Sequence, residues 1–216
     1  MKLYLPKTPS IIQKIFKNYT WRFSTKEKEI YLTFDDGPTP EITNWTLDIL
    51  KKHNAKATFF CIGKNIVNHP DIYEQIKEAN HTIGNHTHNH LNGWKHTTEA
   101  YLENIVMCEN VISSTSTMLS TSSFEKSKLF RPPYGRIKRK QAQKIRSLGF
   151  KIIMWDVLSA DFDTSISNQK CLENVLKNTT KGSIIVFHDS VKAAEKLTYV
   201  LPKVLEYYSE KGFVFK

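Results

Sequence analysis

Apolar residues along this chain follow two alternating rhythms. Short runs rich in β-branched and aromatic side chains, such as I-Y-L-T-F at 30–34, read as buried strands. Between them, apolar residues recur at three- and four-residue intervals, as in Ile42, Trp45, Ile49 and Leu50. That spacing gives a helix with one buried face. By these rules strands are expected at 30–34, 56–62, 82–85, 129–131, 151–156, 183–188 and 213–215. Helices are expected from Pro40 onward and at 65–79, 97–112, 138–148, 168–178 and 193–210. Pro70 interrupts the second of these near its start, and Pro202 kinks the last.

A strand–helix pair repeated about seven times means a parallel sheet with helices outside it. For one α/β domain of 216 residues, a closed or nearly closed barrel fits better than an open doubly wound sheet. The open sheet's glycine-rich phosphate loop is missing after the first strand. Residues 1–29 form an extension ahead of the domain at 30–216. Within it, Ile11, Ile12, Ile15, Phe16 and Tyr19 lie on one side of a helix over 10–23, with Lys14 and Lys17 off that side. Such a helix packs over a core or lies on a membrane, and packing is preferred. The Ser/Thr-rich stretch at 113–127 suits a surface loop outside the barrel.

Composition changes this picture little. Apolar content of 40% and charged content of 24% are ordinary for a globular domain. Nothing is apolar for long enough to cross a bilayer, and no signal peptide is visible, so a cytoplasmic or peripheral location is the simplest expectation. Cys61, Cys108 and Cys171 show neither disulfide nor zinc-ribbon spacing. The net charge of +10 comes from lysines spread over the whole chain. No basic–aromatic cluster marks a nucleic-acid surface.

The chemistry gathers at strand ends. Asp35-Asp36, His86 and His90, Arg131 and Tyr134, Asp156 and Asp161, and His188-Asp189 each end or follow an expected strand. In a βα barrel those ends converge on the catalytic face. Two adjacent carboxylates repel each other unless a cation compensates. Read on a helical turn, the four-residue spacing of His86 and His90 places both imidazoles on one side, able to share a metal, with His88 turned away. Two imidazoles and a carboxylate suit zinc with an open position. They also suit non-haem iron, whose oxygenases use a β-sandwich that this alternation does not support.

These residues resemble the NodB-homology polysaccharide deacetylases, carbohydrate esterase family 4, over residues 30–188. T-F-D-D-G-P stands at 33–38, H-T-x-x-H at 86–90 and R-P-P-Y at 131–134. The fourth motif reads D-V-L-S-A-D-F, with Phe162 where the family usually has tryptophan, and the fifth reads Val186-Phe187-His188 in place of Leu-x-His. The resemblance implies a distorted (β/α)7 barrel that removes acetyl groups from N-acetylated sugars of a polysaccharide or glycoconjugate, with acetate as product. It implies Asp36, His86 and His90 as ligands of one divalent ion, zinc first, with Co²⁺, Ni²⁺ and Mn²⁺ as alternatives. Asp35 becomes the general base, held by Arg131, and the Tyr134 N–H joins the metal in stabilising the oxyanion. His188 becomes the acid, tuned by Asp161. An O-acetyl xylan esterase and an inactive carbohydrate-binding relative are the competing readings. The expected partner is an N-acetylated glycan, with no nucleic acid and no transmembrane segment, and the expected state is a monomer.

Overall fold

The computed structural model describes residues 4–114 and 128–216. The expected loop at 113–127 therefore lies outside the described residues, apart from Ser113 and Ser114, which end a helix.

Alternation within the strands decides which side chains meet the helices and which meet the barrel lumen. Along β1 (Glu29–Asp35), Ile30, Leu32 and Phe34 face outward. They pack with Ile42, Leu47 and Leu50 of α2 (Ile42–Lys52) and with Leu197, Leu201 and Leu205 of α8 (Ala194–Glu210). Each fully buried side chain of this kind stabilises the fold by about 1.5–3 kcal/mol. Tyr31, Thr33 and Asp35 turn the other way, into the lumen. β7 (Ile184–His188) repeats the pattern, with Ile185 and Phe187 outward and Ile184 inward. In β2 (Thr58–Cys61), Phe60 fills the lumen beside Gly84 of β3 (Thr82–Asn85), where a Cβ would run into the Phe60 ring.

The remaining strands are β4 (Lys128–Phe130), β5 (Phe150–Ile152), β6 (Val157–Leu158) and β8 (Val214–Phe215). The order is β5-β4-β3-β2-β1-β7-β6, with every pair parallel, and β8 extends the start of β1. The other helices are α1 (Ser10–Ile15), α3 (Gly63–Asn68), α4 (Pro70–Glu78), α5 (Thr98–Ser114), α6 (Arg139–Ser147) and α7 (Asn168–Leu176). The fold is the distorted (β/α)7 barrel expected for a single domain.

The distortion is a seam between β5 and β6, which do not pair. The N-terminal segment fills it. Thr8 N–H donates to Asp156 O, and Leu158 N–H to Pro6 O, both at 2.9 Å. On the other side Thr20 N–H donates to Ile152 O, and Thr20 O accepts from Met154 N–H. Free strand edges are costly to leave open, and these extended stretches cap both. The helix between them is shorter than its apolar spacing suggests. It ends at Ile15, so Phe16 and Tyr19 do not continue one face, and Ile11, Ile15 and Phe16 stay exposed.

Three further differences have local causes. The helix expected at 65–79 is two helices, broken at His69 because the residue before a proline avoids helical geometry. The strand expected at 151–156 stops at Ile152, and the chain reaches β6 without an intervening helix. Asp156 consequently does not join the catalytic rim. It is buried beside Ser183 at the opposite end of β7 from His188, bound to Lys7, Gln13 and Ser183.

Candidate metal-assisted active site

Four inward columns of the barrel end in a candidate site side chain. Asp35 closes β1, His86 follows β3, Arg131 follows β4 and His188 closes β7. Register places Asp35 directly beside His188.

Arg131 is fully buried and spans the lumen. Its Nη1 donates to Asp35 Oδ1 and to Thr33 Oγ1, each at 2.7 Å, while Nε and Nη2 donate to the carbonyls of Ile153 and Met154. Its Cζ lies over the Phe60 ring, 4.1 Å from the ring centre. Burial works against the guanidinium charge, and the Asp35 carboxylate opposes that effect. A charge this deep is tolerated only when its donors are matched this fully. One carboxylate oxygen of Asp35 is thereby fixed. The other, Oδ2, faces His86 Nε2 at 3.9 Å.

Asp36, His86 and His90 form the second cluster, with one potential ligand atom from each within 4.8 Å of the others. Asp36 Oδ1 lies 3.2 Å from His90 Nε2 and 3.7 Å from His86 Nε2. His86 Nδ1 is 2.8 Å from Arg131 O, so Nδ1–H donates there and Nε2 carries a lone pair toward the cluster. Burial pushes the His86 pKa down to about 4, and Asp35 only partly offsets this. The ring is neutral, as a metal ligand must be. Burial also disfavours the Asp36 charge, but His90, His188 and His86 outweigh it and hold the carboxyl below its usual range. Asp36 Oδ1 is nonetheless buried without a hydrogen-bond partner among the described residues. A deprotonated, unsatisfied oxygen facing two imidazoles is the donor set that a divalent cation completes.

The two histidines do not share a helical turn. His86 leaves the end of β3, and the chain then takes positive φ at Thr87 (64°) and His90 (54°). That irregular loop, with Asp36 at φ 86°, brings the three ligand atoms together. Positive φ at such residues costs on the order of 1–3 kcal/mol each and tends to persist at functional sites. His88 is only half buried, and its Nδ1 lacks a hydrogen-bond partner among the described residues.

Across the site, His188 Nδ1 lies 2.7 Å from Asp161 Oδ1, and His188 N–H donates to Asp161 Oδ2 at 2.8 Å. Burial would lower the His188 pKa. The Asp161 charge and hydrogen bond, helped by Asp36 and Asp35, overturn that and raise it to about 9. Phe162 stands edge-on to the His188 ring at 5.1 Å, keeping an apolar wall there. Tyr134 lies in a tight turn at φ 60°, with its ring 4.5 Å from that of His90.

Asp189 was visible in the sequence beside His188 but carried no expected role. It is fully buried, its N–H donates to Asp35 O, and its Oδ1 accepts from Gly37 N–H. Thr43 Oγ1 is 2.6 Å from its other oxygen. A Cβ at Gly37 would collide with this carboxyl group. Asp189 thus braces the Asp35–Gly37 turn from β7.

The polysaccharide deacetylase family model matches residues 22–153 of the chain. A peptidoglycan-N-acetylglucosamine deacetylase of Bacillus cereus is 36% identical over 81% of this chain, which spans 61% of that relative's length. A second Bacillus cereus protein of the same name is 31% identical over 91% of this chain and 89% of its own. A solved structure of a peptidoglycan N-acetylglucosamine deacetylase superposes with a TM-score of 0.84 at 32% identity, covering 97% of this chain and 94% of that one.

Proposed function

The chain belongs to the polysaccharide deacetylase family, and we propose that it hydrolyses the acetamide of N-acetylated sugars in a polysaccharide or glycoconjugate, releasing acetate. The observation that carries this reading is a buried Asp36 oxygen, without a hydrogen-bond partner among the described residues, that faces the His86 and His90 imidazoles between a base and an acid. A sugar-binding module needs none of these.

Asp36, His86 and His90 would hold one divalent ion, with zinc the first choice for two imidazoles and one carboxylate. A bound ion of this kind polarises the acetyl carbonyl and acidifies water near neutral pH. Asp35 takes the proton of the attacking water on Oδ2, since Arg131 occupies Oδ1. The Tyr134 backbone N–H would donate to the oxygen on which charge develops. His188 gives its proton to the departing nitrogen, and Asp161 keeps that proton on the ring at working pH. Phe187, the residue before His188, packs outward into the core on the other face of β7.

The test is acetate release from N-acetylglucosamine oligomers by protein supplied with zinc. Acetate in equal amount to newly formed amines supports the reading. Neither product, under conditions where zinc is bound, overturns it.

A further inference from the structure

The seam holds a groove that the site above does not use. Its volume is about 460 Å³, and its walls include Leu5, Pro9, Ile12, Trp21, Met154 and Leu158. That volume lies within the ~300–1,000 Å³ typical of small-molecule sites. The N-terminal segment supplies one wall, and the turn after β4 together with the β5–β6 connection supplies the other.

One lip of the groove contacts the candidate site directly and the other reaches it through Phe162. Tyr134 lines it, and the same ring sits 4.5 Å from His90, on the metal side. Tyr4 also lines it. Its ring is 5.8 Å from Phe162, which in turn stands 5.1 Å from His188, on the acid side. The groove therefore opens between the cluster that would bind the acetyl oxygen and the group that would protonate the sugar nitrogen.

Its chemistry favours an apolar occupant. The Thr8 hydroxyl already donates to Trp155 O, and the Tyr4 hydroxyl is engaged by Asp163. Arg136 lies at the rim, its guanidinium 4.1 Å from the Trp94 ring. A pyranose laid among Leu5, Ile12, Met154 and Leu158 would bury hydroxyls with few partners, which is costly. Leu5 stays 57% exposed, so a hydrocarbon group entering the groove gains by covering it.

We propose that this groove is an aglycone subsite, taking an apolar alkyl or aryl group carried by the sugar whose acetamide is cleaved. The inference rests on the deacetylase reading for its orientation. It predicts selection for sugars bearing a hydrophobic substituent over free oligosaccharides.

The experiment compares octyl, phenyl and methyl glycosides of N-acetylglucosamine with an N-acetylglucosamine tetramer. Binding is measured by titration calorimetry on the zinc-loaded Asp35→Asn variant, expected to keep metal with little turnover, below the micelle-forming concentration, and KM and acetate release are measured alongside on the wild type. The octyl glycoside should bind at least about tenfold tighter than the methyl glycoside, equal to ~1.4 kcal/mol. A phenyl advantage of similar size identifies an aryl group as an equal occupant, and a smaller one identifies the alkyl chain. Leu5→Ser and Ile12→Thr should erase the octyl advantage while leaving methyl glycoside binding and melting temperature unchanged. Equal affinity for octyl, phenyl and methyl glycosides overturns the proposal. So does a tetramer advantage that the same two variants abolish, because the groove would then be a sugar subsite. Calorimetry reads binding without turnover, so tight octyl binding with no acetate released would sink the deacetylase reading and leave the groove standing.

Discussion

His188 and Asp161 share two contacts, one from the imidazole at 2.7 Å and one from the His188 backbone N–H at 2.8 Å. The carboxylate comes from the loop after β6 and the histidine from the end of β7, so two neighbouring strands hold the pair together. The double contact sets both ring orientation and proton affinity.

An amine leaves poorly unless it is protonated as the C–N bond breaks, whereas an aryl alkoxide leaves unaided. His188→Ala should therefore abolish amide hydrolysis and keep measurable hydrolysis of an aryl acetate. The pKa near 9 puts the alkaline limb of amide hydrolysis in the wild type well above neutrality. Asp161→Asn removes the group that raises it, so that limb should move to lower pH. Equal losses on both substrates, with an unmoved limb, would mean that His188 is not the acid.

Asp35 and Asp36 are adjacent but differ in environment. Asp35 is tied to Arg131, whereas Asp36 Oδ1 faces the two imidazoles. Asp35→Asn should retain metal and lose ~10²–10⁴-fold in turnover, the usual worth of a general base. Asp36→Asn should lose metal affinity first. Elemental analysis and single-turnover rates on both variants separate the roles, and equal metal loss contradicts them.

Metal should also stabilise the fold, because the ligand atoms converge only in the folded chain. At a free zinc concentration of one hundred times Kd the gain is ~2.7 kcal/mol. A chelator should lower the melting temperature of the wild type and leave that of His86→Ala nearly unchanged. A chelator effect of the same size in His86→Ala would place the metal elsewhere.

Asp189 gives a pH signature in stability. Burial raises its pKa to about 8, with Asp36 adding to the rise and the Thr43 and Gly37 hydrogen bonds opposing it. The folded-state value lies above the ordinary 3.8, so the folded chain holds a proton that the unfolded chain has released. This contribution to stability is complete below the ordinary value and is lost as pH rises through about 8. Asparagine does not titrate. Denaturation midpoints should therefore fall between about pH 5 and pH 8 in the wild type and fall less in Asp189→Asn. Parallel profiles would show that Asp189 keeps its charge throughout.

The sequence carried the site more legibly than the seam. Asp35, Arg131 and His188 are readable because strand period fixes the inward side and glycine, proline or a polar residue marks where each strand stops. His86 and His90 were expected together by helical spacing, whereas the loop brings them close through positive φ at Thr87 and His90. No propensity rule anticipates that at a threonine. β6 is only Val157–Leu158, too short to stand out from the irregular residues before it. Missing it placed Asp156 on the rim. The N-terminal segment was legible as apolar, but its capping of two strand edges depends on which strands fail to pair, and local patterns do not record that.

The central claim is that this centre cleaves an amide rather than an ester. The most direct measurement offers one substrate both choices, an N-acetylglucosamine oligomer that also carries O-acetyl groups. Zinc-loaded protein is incubated with it, and fragmentation mass spectrometry locates each lost acetyl. The structure predicts loss from nitrogen, leaving free amines, and predicts that His188→Ala suppresses this loss. Loss from oxygen alone, with every N-acetyl group intact, would contradict it.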